Sequence, residues 1–223
     1  YQDMLDSDVD TIYVALPNHL HFPFASQALQ KGKHVIIEKP ITTNVDELET
    51  LKRLAAEQHL IMLEAMNIHH LPAYLSLQAE LAKVGDIKLV TLNYSQYSSR
   101  YDAFKQGIIH PAFDANKGGG ALMDINVYNL HFVAGLFGEP KVVTYFANMQ
   151  NNIDTSGMMV LDYGEFKCVC IGAKDCKAPT TSLIQGEKGH VQITLPVNQM
   201  TGFEMALNNG DRAQFAYDRR EHR

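Results

Sequence analysis

Apolar and polar positions switch between a two-residue and a helical period along the first third of the chain. Thr11 to Leu16 (TIYVAL) is a short, β-rich apolar run. From Phe22 to Lys31 apolar residues recur at helical spacing, and Gly32 ends the run. His34 to Glu38 (HVIIE) is again strand-like and is closed by Pro40. Asn44 stands as an N-cap with Glu47 three residues on, ahead of an apolar stripe at Val45, Leu48, Leu51, Leu54 and Ala55. Leu60 to Ala65 completes a strand, helix, strand, helix, strand alternation. Such an order requires right-handed crossovers and a parallel sheet, so residues 1–66 are expected to form part of a doubly wound α/β domain.

Beyond Met66 the pattern changes. A helix is expected around Pro72 to Val84, and Ile87 to Tyr97 (IKLVTLNYSQY) alternates as a half-exposed strand does. One more helix is expected from Gly120 to Phe137, ended by Gly138 and Pro140. From Val142 onward strand signals are separated by turns at Asp162-Tyr163-Gly164-Glu165, Gly186 to Gly189, and Asn208-Asn209-Gly210. The expectation is therefore α/β followed by α+β. An incomplete parallel sheet with helices occupies 1–66, and an open-faced, mostly antiparallel sheet domain occupies 67–223.

Composition narrows the partners. The chain has 223 residues, 46% apolar and 20% charged, and no apolar stretch approaches the roughly 20 residues a bilayer span needs, so no membrane partner is expected. A net charge of -6 with no basic run argues against nucleic acid. Cys168, Cys170 and Cys176 are too few and too clustered for a disulfide framework; they read as buried thiols on one strand face, in a reducing cytoplasm. His19/His21 and His69/His70 are the close histidine pairs, and neither has the i, i+4 spacing of a helical zinc site, so no metal is expected. The first ten residues (YQDMLDSDVD) read as a helix end and linker, so further sequence is expected upstream.

In an open parallel sheet the ligand crevice lies beyond the carboxyl ends of the strands. The first strand runs out into Pro17-Asn18-His19-Leu20-His21 and the second into Glu38-Lys39-Pro40, which gathers an amide, imidazoles, a carboxylate and an ammonium. The same residues also suit a plainer role, with Asn18 capping the next helix, the histidines on its first turn, and Glu38 and Lys39 a solvated pair. A third cluster is Gly118-Gly119-Gly120 followed by Asp124, Tyr128 and His131, which share one face of a helix at i, i+4, i+7. These could be an acid/base group with its orienting partners, or a core tyrosine whose hydroxyl is satisfied by Asp124.

The string VALPNHLHFPFASQALQKGKHVIIEKP resembles the signature of the glucose-fructose oxidoreductase and inositol dehydrogenase (Gfo/Idh/MocA) family. GGGALMDINVY is similar to that family's second signature, in the tyrosine version of the glucose-fructose oxidoreductase and dimeric dihydrodiol dehydrogenase branch. The likeness runs from about Val9 to Val191. It implies a Rossmann domain binding NAD or NADP, with substrate held between nicotinamide and the sheet domain. By this resemblance Leu16, Pro17, Asn18 and His21 line the cofactor, and Glu38 lies near its nicotinamide ribose. Lys39 touches nicotinamide region and substrate, and its ammonium favours the phenolate of a tyrosine that is otherwise a poor base near pKa 10. Tyr128 is the proton donor or acceptor, Asp124 binds substrate, and His131 belongs to the same substrate-binding face.

The implied activity is hydride transfer between the nicotinamide and a sugar, cyclitol or dihydrodiol, as CH–OH or CH–CH donor. The implied assembly is a homodimer through the open sheet. A non-catalytic, nucleotide- or sugar-binding dimeric relative is the alternative. Three departures stand out. The Gly-x-Gly-x-x-Gly turn is expected upstream of Tyr1; Asn126 stands where the family has glycine, as a residue that tolerates left-handed dihedrals; and His69 stands where relatives often carry arginine. The substrate-discriminating loop, Ser98 to Lys117, carries no readable motif, and the chain stops in a charged stretch, DRREHR, where relatives continue.

Overall fold

The computed structural model describes residues 1–218, so the charged end at 219–223 lies outside the described residues. The chain divides into two compact units, one formed by Tyr1–Met66 with Ile109–Gly119, the other by Asn67–Ile108 with the residues from Gly120 onward.

The first unit holds α1 (Gln2–Leu5), β1 (Thr11–Val14), α2 (His21–Gln30), β2 (His34–Ile37), α3 (Val45–Glu57) and β3 (Met62–Glu64). Its three strands form a parallel sheet in the order β1-β2-β3, with Thr11 opposite His34 and Val35 opposite Met62. The alternating burial of β1 and β2 puts Ile12, Val14, Val35 and Ile37 into one core with Ala25, Leu29, Leu51 and Ala55 of the helices. Asn44 caps α3 as its pattern predicts: its Oδ1 accepts from Glu47 N at 3.0 Å, while the Glu47 carboxylate accepts from Thr43 N at 3.1 Å. The return of Ile109–Gly119 to this unit leaves no periodic trace, because it consists of single 3₁₀ turns at Pro111–Phe113 and Ala115–Lys117.

The second unit contains α4 (Pro72–Glu80), β4 (Ile87–Ser95), α5 (Tyr101–Lys105), α6 (Val127–Phe137), β5 (Val142–Gln150), β6 (Ile153–Asp162), β7 (Lys167–Ala173), β8 (Ser182–Gly186), β9 (Gly189–Ile193), β10 (Gly202–Leu207) and β11 (Arg212–Ala216). They form an eight-stranded sheet in the order β11-β10-β9-β8-β4-β7-β6-β5. The β4–β7 pair is parallel and the other pairs are antiparallel, which matches the mostly antiparallel expectation. One face buries Val90, Leu92, Leu161, Cys168, Cys170, Ile184 and Val191, whereas Leu89 and Met158 on the other remain about half exposed. The three turns read from the sequence join β6 to β7, β8 to β9 and β10 to β11. A fourth hairpin, β5 to β6, turns on Asn151 and Asn152, both at positive φ (50° and 61°).

Two expectations change. Cys168 and Cys170 are buried with sulfurs 3.8 Å apart, and the contact with Cys168, followed by burial, holds the Cys170 thiol well above the ordinary range. Cys176 lies past the end of β7 and is exposed, so it does not share that face. The helix expected from Gly120 opens as a π turn, Leu122–Asn126, and becomes α-helical only at Val127. The wider turn alters the angular relation of Asp124 to Tyr128 that simple i, i+4 spacing implies.

Candidate functional site

In the first unit the parallel pairing of β1 and β2 brings their carboxyl ends side by side, and hydrogen bonds lock them there. His21, fully buried at the start of α2, lies with Nε2 2.7 Å from the Leu16 carbonyl oxygen and Nδ1 2.9 Å from that of Pro40. It ties the two strand ends together, instead of decorating an exposed helix turn. Tyr13 on β1 donates its hydroxyl to the Glu38 carboxylate at the end of β2, and this bond, followed by burial, raises the Tyr13 pKa. The third strand joins through Glu64, whose Oε1 accepts from Ile41 N at 3.0 Å. Leu16 and Pro17 are exposed, while Asn18, Glu38 and Lys39 are half-buried.

Asn18 does not cap α2. Its Nδ2 donates to the Gly118 carbonyl oxygen at 2.8 Å, holding the returning segment, and α2 begins without a side-chain cap. At Gly118 φ is +68°, and a Cβ would lie 2.7 Å from Thr43 Cγ2. Gly120, the last of the triplet, has φ +109°, and a Cβ there would run into the Asp154 carboxylate. The triple glycine therefore serves close approach.

In the second unit Asp154 of β6 anchors the start of the helix that carries the other candidates. Its Oδ2 accepts from Leu122 N at 2.7 Å and from the Tyr145 hydroxyl at 2.6 Å. Burial and this bond raise the Tyr145 pKa far above its ordinary value. Asp124 follows in the π turn, and its Oδ2 lies 2.8 Å from Lys174 Nζ. Tyr128 is half-buried, its ring 6.1 Å from that of Tyr94. His131 approaches His69, Nδ1 to Nε2, at 3.5 Å. The structure thus gathers Leu16, Pro17, Asn18, His21, Glu38 and Lys39 on one unit, and Asp124, Tyr128 and His131 on the other.

Asn126 departs from expectation. It is right-handed (φ -72°, ψ -18°) and fully buried, so its side chain, not an unusual dihedral, explains its place. Its Nδ2 donates to the Cys170 carbonyl oxygen at 3.0 Å, and its Oδ1 accepts from Asn129 at 2.9 Å. The space comes from Gly172 on β7, where a Cβ would lie 2.6 Å from Asn126 Cβ.

Sequence reading missed Lys174, Asp154 and Tyr13. Lys174 follows an apolar strand with no motif around it, and Asp154 acts on a helix more than thirty positions upstream; the alternation of β1 puts Tyr13 on the exposed face and says nothing of Glu38.

A parallel sheet whose strand ends lie side by side, followed by a mixed sheet carrying a glycine-led helix, defines a two-unit α/β architecture. Residues 1–66 match the model described as an oxidoreductase family with an NAD-binding Rossmann fold, and residues 80–192 match the GFO/IDH/MocA C-terminal domain. The chain belongs to the Gfo/Idh/MocA family.

It is 38% identical to the NADP-dependent scyllo-inositol 2-dehydrogenase of Bacillus subtilis over 196 residues, 86% of this chain and 59% of that protein. It is 28% identical to the trans-1,2-dihydrobenzene-1,2-diol dehydrogenase of Xenopus tropicalis over 213 residues, 93% of this chain and 62% of that one. The fold superposes on that of a 3-ketoreductase variant from Actinomadura kijaniata, solved with TDP-benzene and NADP, with a TM-score of 0.83 at 23% identity, covering 97% of this chain and 68% of the ketoreductase. The chain thus spans about three fifths of the length of these curated relatives. Among the described residues no helix is long and apolar enough to cross a membrane.

Proposed function

We propose that the protein is an NAD- or NADP-dependent oxidoreductase that moves a hydride between nicotinamide and a CH–OH carbon of a sugar, cyclitol or dihydrodiol. In this reading residues 1–66 are part of the cofactor-binding domain, and residues 67–223 bind substrate and pair two copies through the open sheet face. The protein works in the cytoplasm, and neither nucleic acid nor membrane is a partner. The observation that carries the reading is the locked pair of strand ends in the first unit, in the position where open parallel sheets bind dinucleotides.

The residues there fit such a group. Leu16 and Pro17 offer an exposed apolar edge, Glu38 offers a carboxylate oriented by Tyr13 to accept from ribose hydroxyls, and His21 acts by holding both strand ends. When bound, the cofactor supplies the hydride acceptor or donor. Lys39 holds the substrate oxygen and stabilises negative charge that develops there. Tyr128 takes the hydroxyl proton in oxidation and returns it in reduction. Asp124 accepts a hydrogen bond from a substrate hydroxyl, and His131 lies on the same helix one turn beyond Tyr128. The names of the relatives, an inositol dehydrogenase and a dihydrodiol dehydrogenase, support the substrate class.

The test is fluorescence titration of the intact protein with NADH and NADPH, then an absorbance screen at the nicotinamide band against inositols, aldoses and trans-dihydrodiols. Lys39→Ala and Tyr128→Phe are each expected to lower turnover on the order of a hundredfold while cofactor affinity changes little. Wild-type activity in either variant refutes the roles. Cofactor binding without any turnover by the wild type favours the non-catalytic reading.

A further inference from the structure

We propose that Lys174 is a positioning residue of this site, a buried ammonium that orients Asp124 toward the substrate hydroxyl and balances its charge. The inference rests on the reading above and adds to it a residue outside both family signatures.

The pair is lopsided. The Lys174 side chain is 3% exposed and the Asp124 side chain 34%. Burying an ammonium is costly unless a close anion compensates, whereas a carboxylate one-third open to water needs no lysine. Asp124 therefore does more for Lys174 than Lys174 does for the stability of Asp124, and stability alone gives the fold no reason to keep the lysine.

Its backbone is held firmly all the same. Lys174 N donates to the Thr155 carbonyl oxygen at 2.8 Å, and the next residue, Asp175, accepts at Oδ2 from Thr155 Oγ1 at 2.7 Å and Ser156 Oγ at 2.9 Å. On the other side Asp154 fixes the start of the π turn that carries Asp124. Both ends of the ion pair are thus mounted on anchored backbone, in the arrangement expected of a preorganised electrostatic element.

Its use follows from the charge balance of the reaction. In oxidation negative charge grows on the substrate oxygen as the O–H proton passes to Tyr128, and it is discharged when the C–H electron pair leaves as hydride to the nicotinamide and the carbonyl forms. A bare Asp124 carboxylate nearby would oppose that growth. Paired with Lys174 it contributes no net charge, yet still presents an acceptor for a substrate hydroxyl.

The experiment compares wild type with Lys174→Met in the intact protein. NADPH affinity, thermal midpoint, polyol binding read by NADPH fluorescence, and turnover are measured with inositols, aldoses and a trans-dihydrodiol. Lys174→Met is expected to bind NADPH within about twofold of wild type and to melt within a few degrees of it, while polyol affinity and kcat/KM fall at least about tenfold. In Lys174→Ala, ethylammonium is expected to restore part of the activity and ethanol none.

A lysine that is only a structural peg would lower the midpoint and leave kcat/KM below it unchanged, and that result overturns the proposal. So does Lys174→Met binding polyol and turning it over like wild type. If the wild type binds a polyol without oxidising it, the oxidoreductase reading fails, and the polyol affinities of the two proteins alone decide the role of Lys174. A wild type that neither binds nor oxidises any of the panel overturns both.

Discussion

Asp154 is the residue whose removal tests the second unit most directly, because one carboxylate oxygen serves two donors from different elements. Asp154→Ala leaves Leu122 N–H at the start of the helix and the Tyr145 hydroxyl on β5 without the oxygen that accepts from them at 2.7 and 2.6 Å. A hydrogen bond to a charged group is worth roughly 1.5–3 kcal/mol. Both donors are half-buried and regain some of this from water, so the summed loss is put at about 3 kcal/mol. For a chain of this length each kcal/mol moves the midpoint by roughly 2–4 °C, so Asp154→Ala should melt about 6–12 °C below wild type.

The assay is thermal unfolding followed by circular dichroism, run as a cycle with Tyr145→Phe. Removing the stranded hydroxyl from the Asp154→Ala background should recover about 1 kcal/mol, whereas in the wild type the same change costs stability. A drop under 3 °C, or additive effects of the two changes, would refute the shared-acceptor account.

Two other expectations concern the same unit. Gly172→Ala should cost roughly 1–3 kcal/mol by overpacking, because the new methyl meets Asn126 Cβ at 2.6 Å, and Asn126→Gly in the same chain should recover part of it. If the second change deepens the loss, the two residues do not share that space. The second expectation concerns alkaline pH, where the folded protein keeps the Tyr145 proton, held by burial and by Asp154, beyond the point where the unfolded chain loses it. A raised folded value contributes stability below about pH 10 that is lost as pH climbs toward that value, so denaturant midpoints should fall less steeply above pH 10 in Tyr145→Phe than in wild type. Parallel slopes would show that this tyrosine does not carry the linkage.

The parallel half of the fold was legible because its elements are each fixed by neighbours in sequence. The stripe from Val45 to Ala55, the Asn44 cap and the apolar runs of β1 and β2 need only local periodicity, and the order of elements then leaves a parallel sheet as the solution. The candidates Lys39, Asp124 and Tyr128 were legible through the resemblance of two short strings to family signatures.

What only the tertiary structure decided depends on pairs far apart in the chain. Asn126 looked like a backbone residue until β7 supplied Gly172 to make room for its side chain and a carbonyl to accept its amide. Asn18 looked like a helix cap until the returning segment offered the Gly118 carbonyl one hundred residues away. The hairpin at Asn151 and Asn152 escaped notice because it lacks the glycine that usually marks two left-handed residues. Lys174 carries no signal in the sequence, and its burial against Asp124 is set by the register of β6 with β7 and by the helix packed over them. Local periodicity reports which face of an element is buried, since that face follows from the backbone geometry of the element itself. It cannot report which polar group from another element will meet a side chain there, since that is decided when the sheet closes and each buried donor and charge must find its partner.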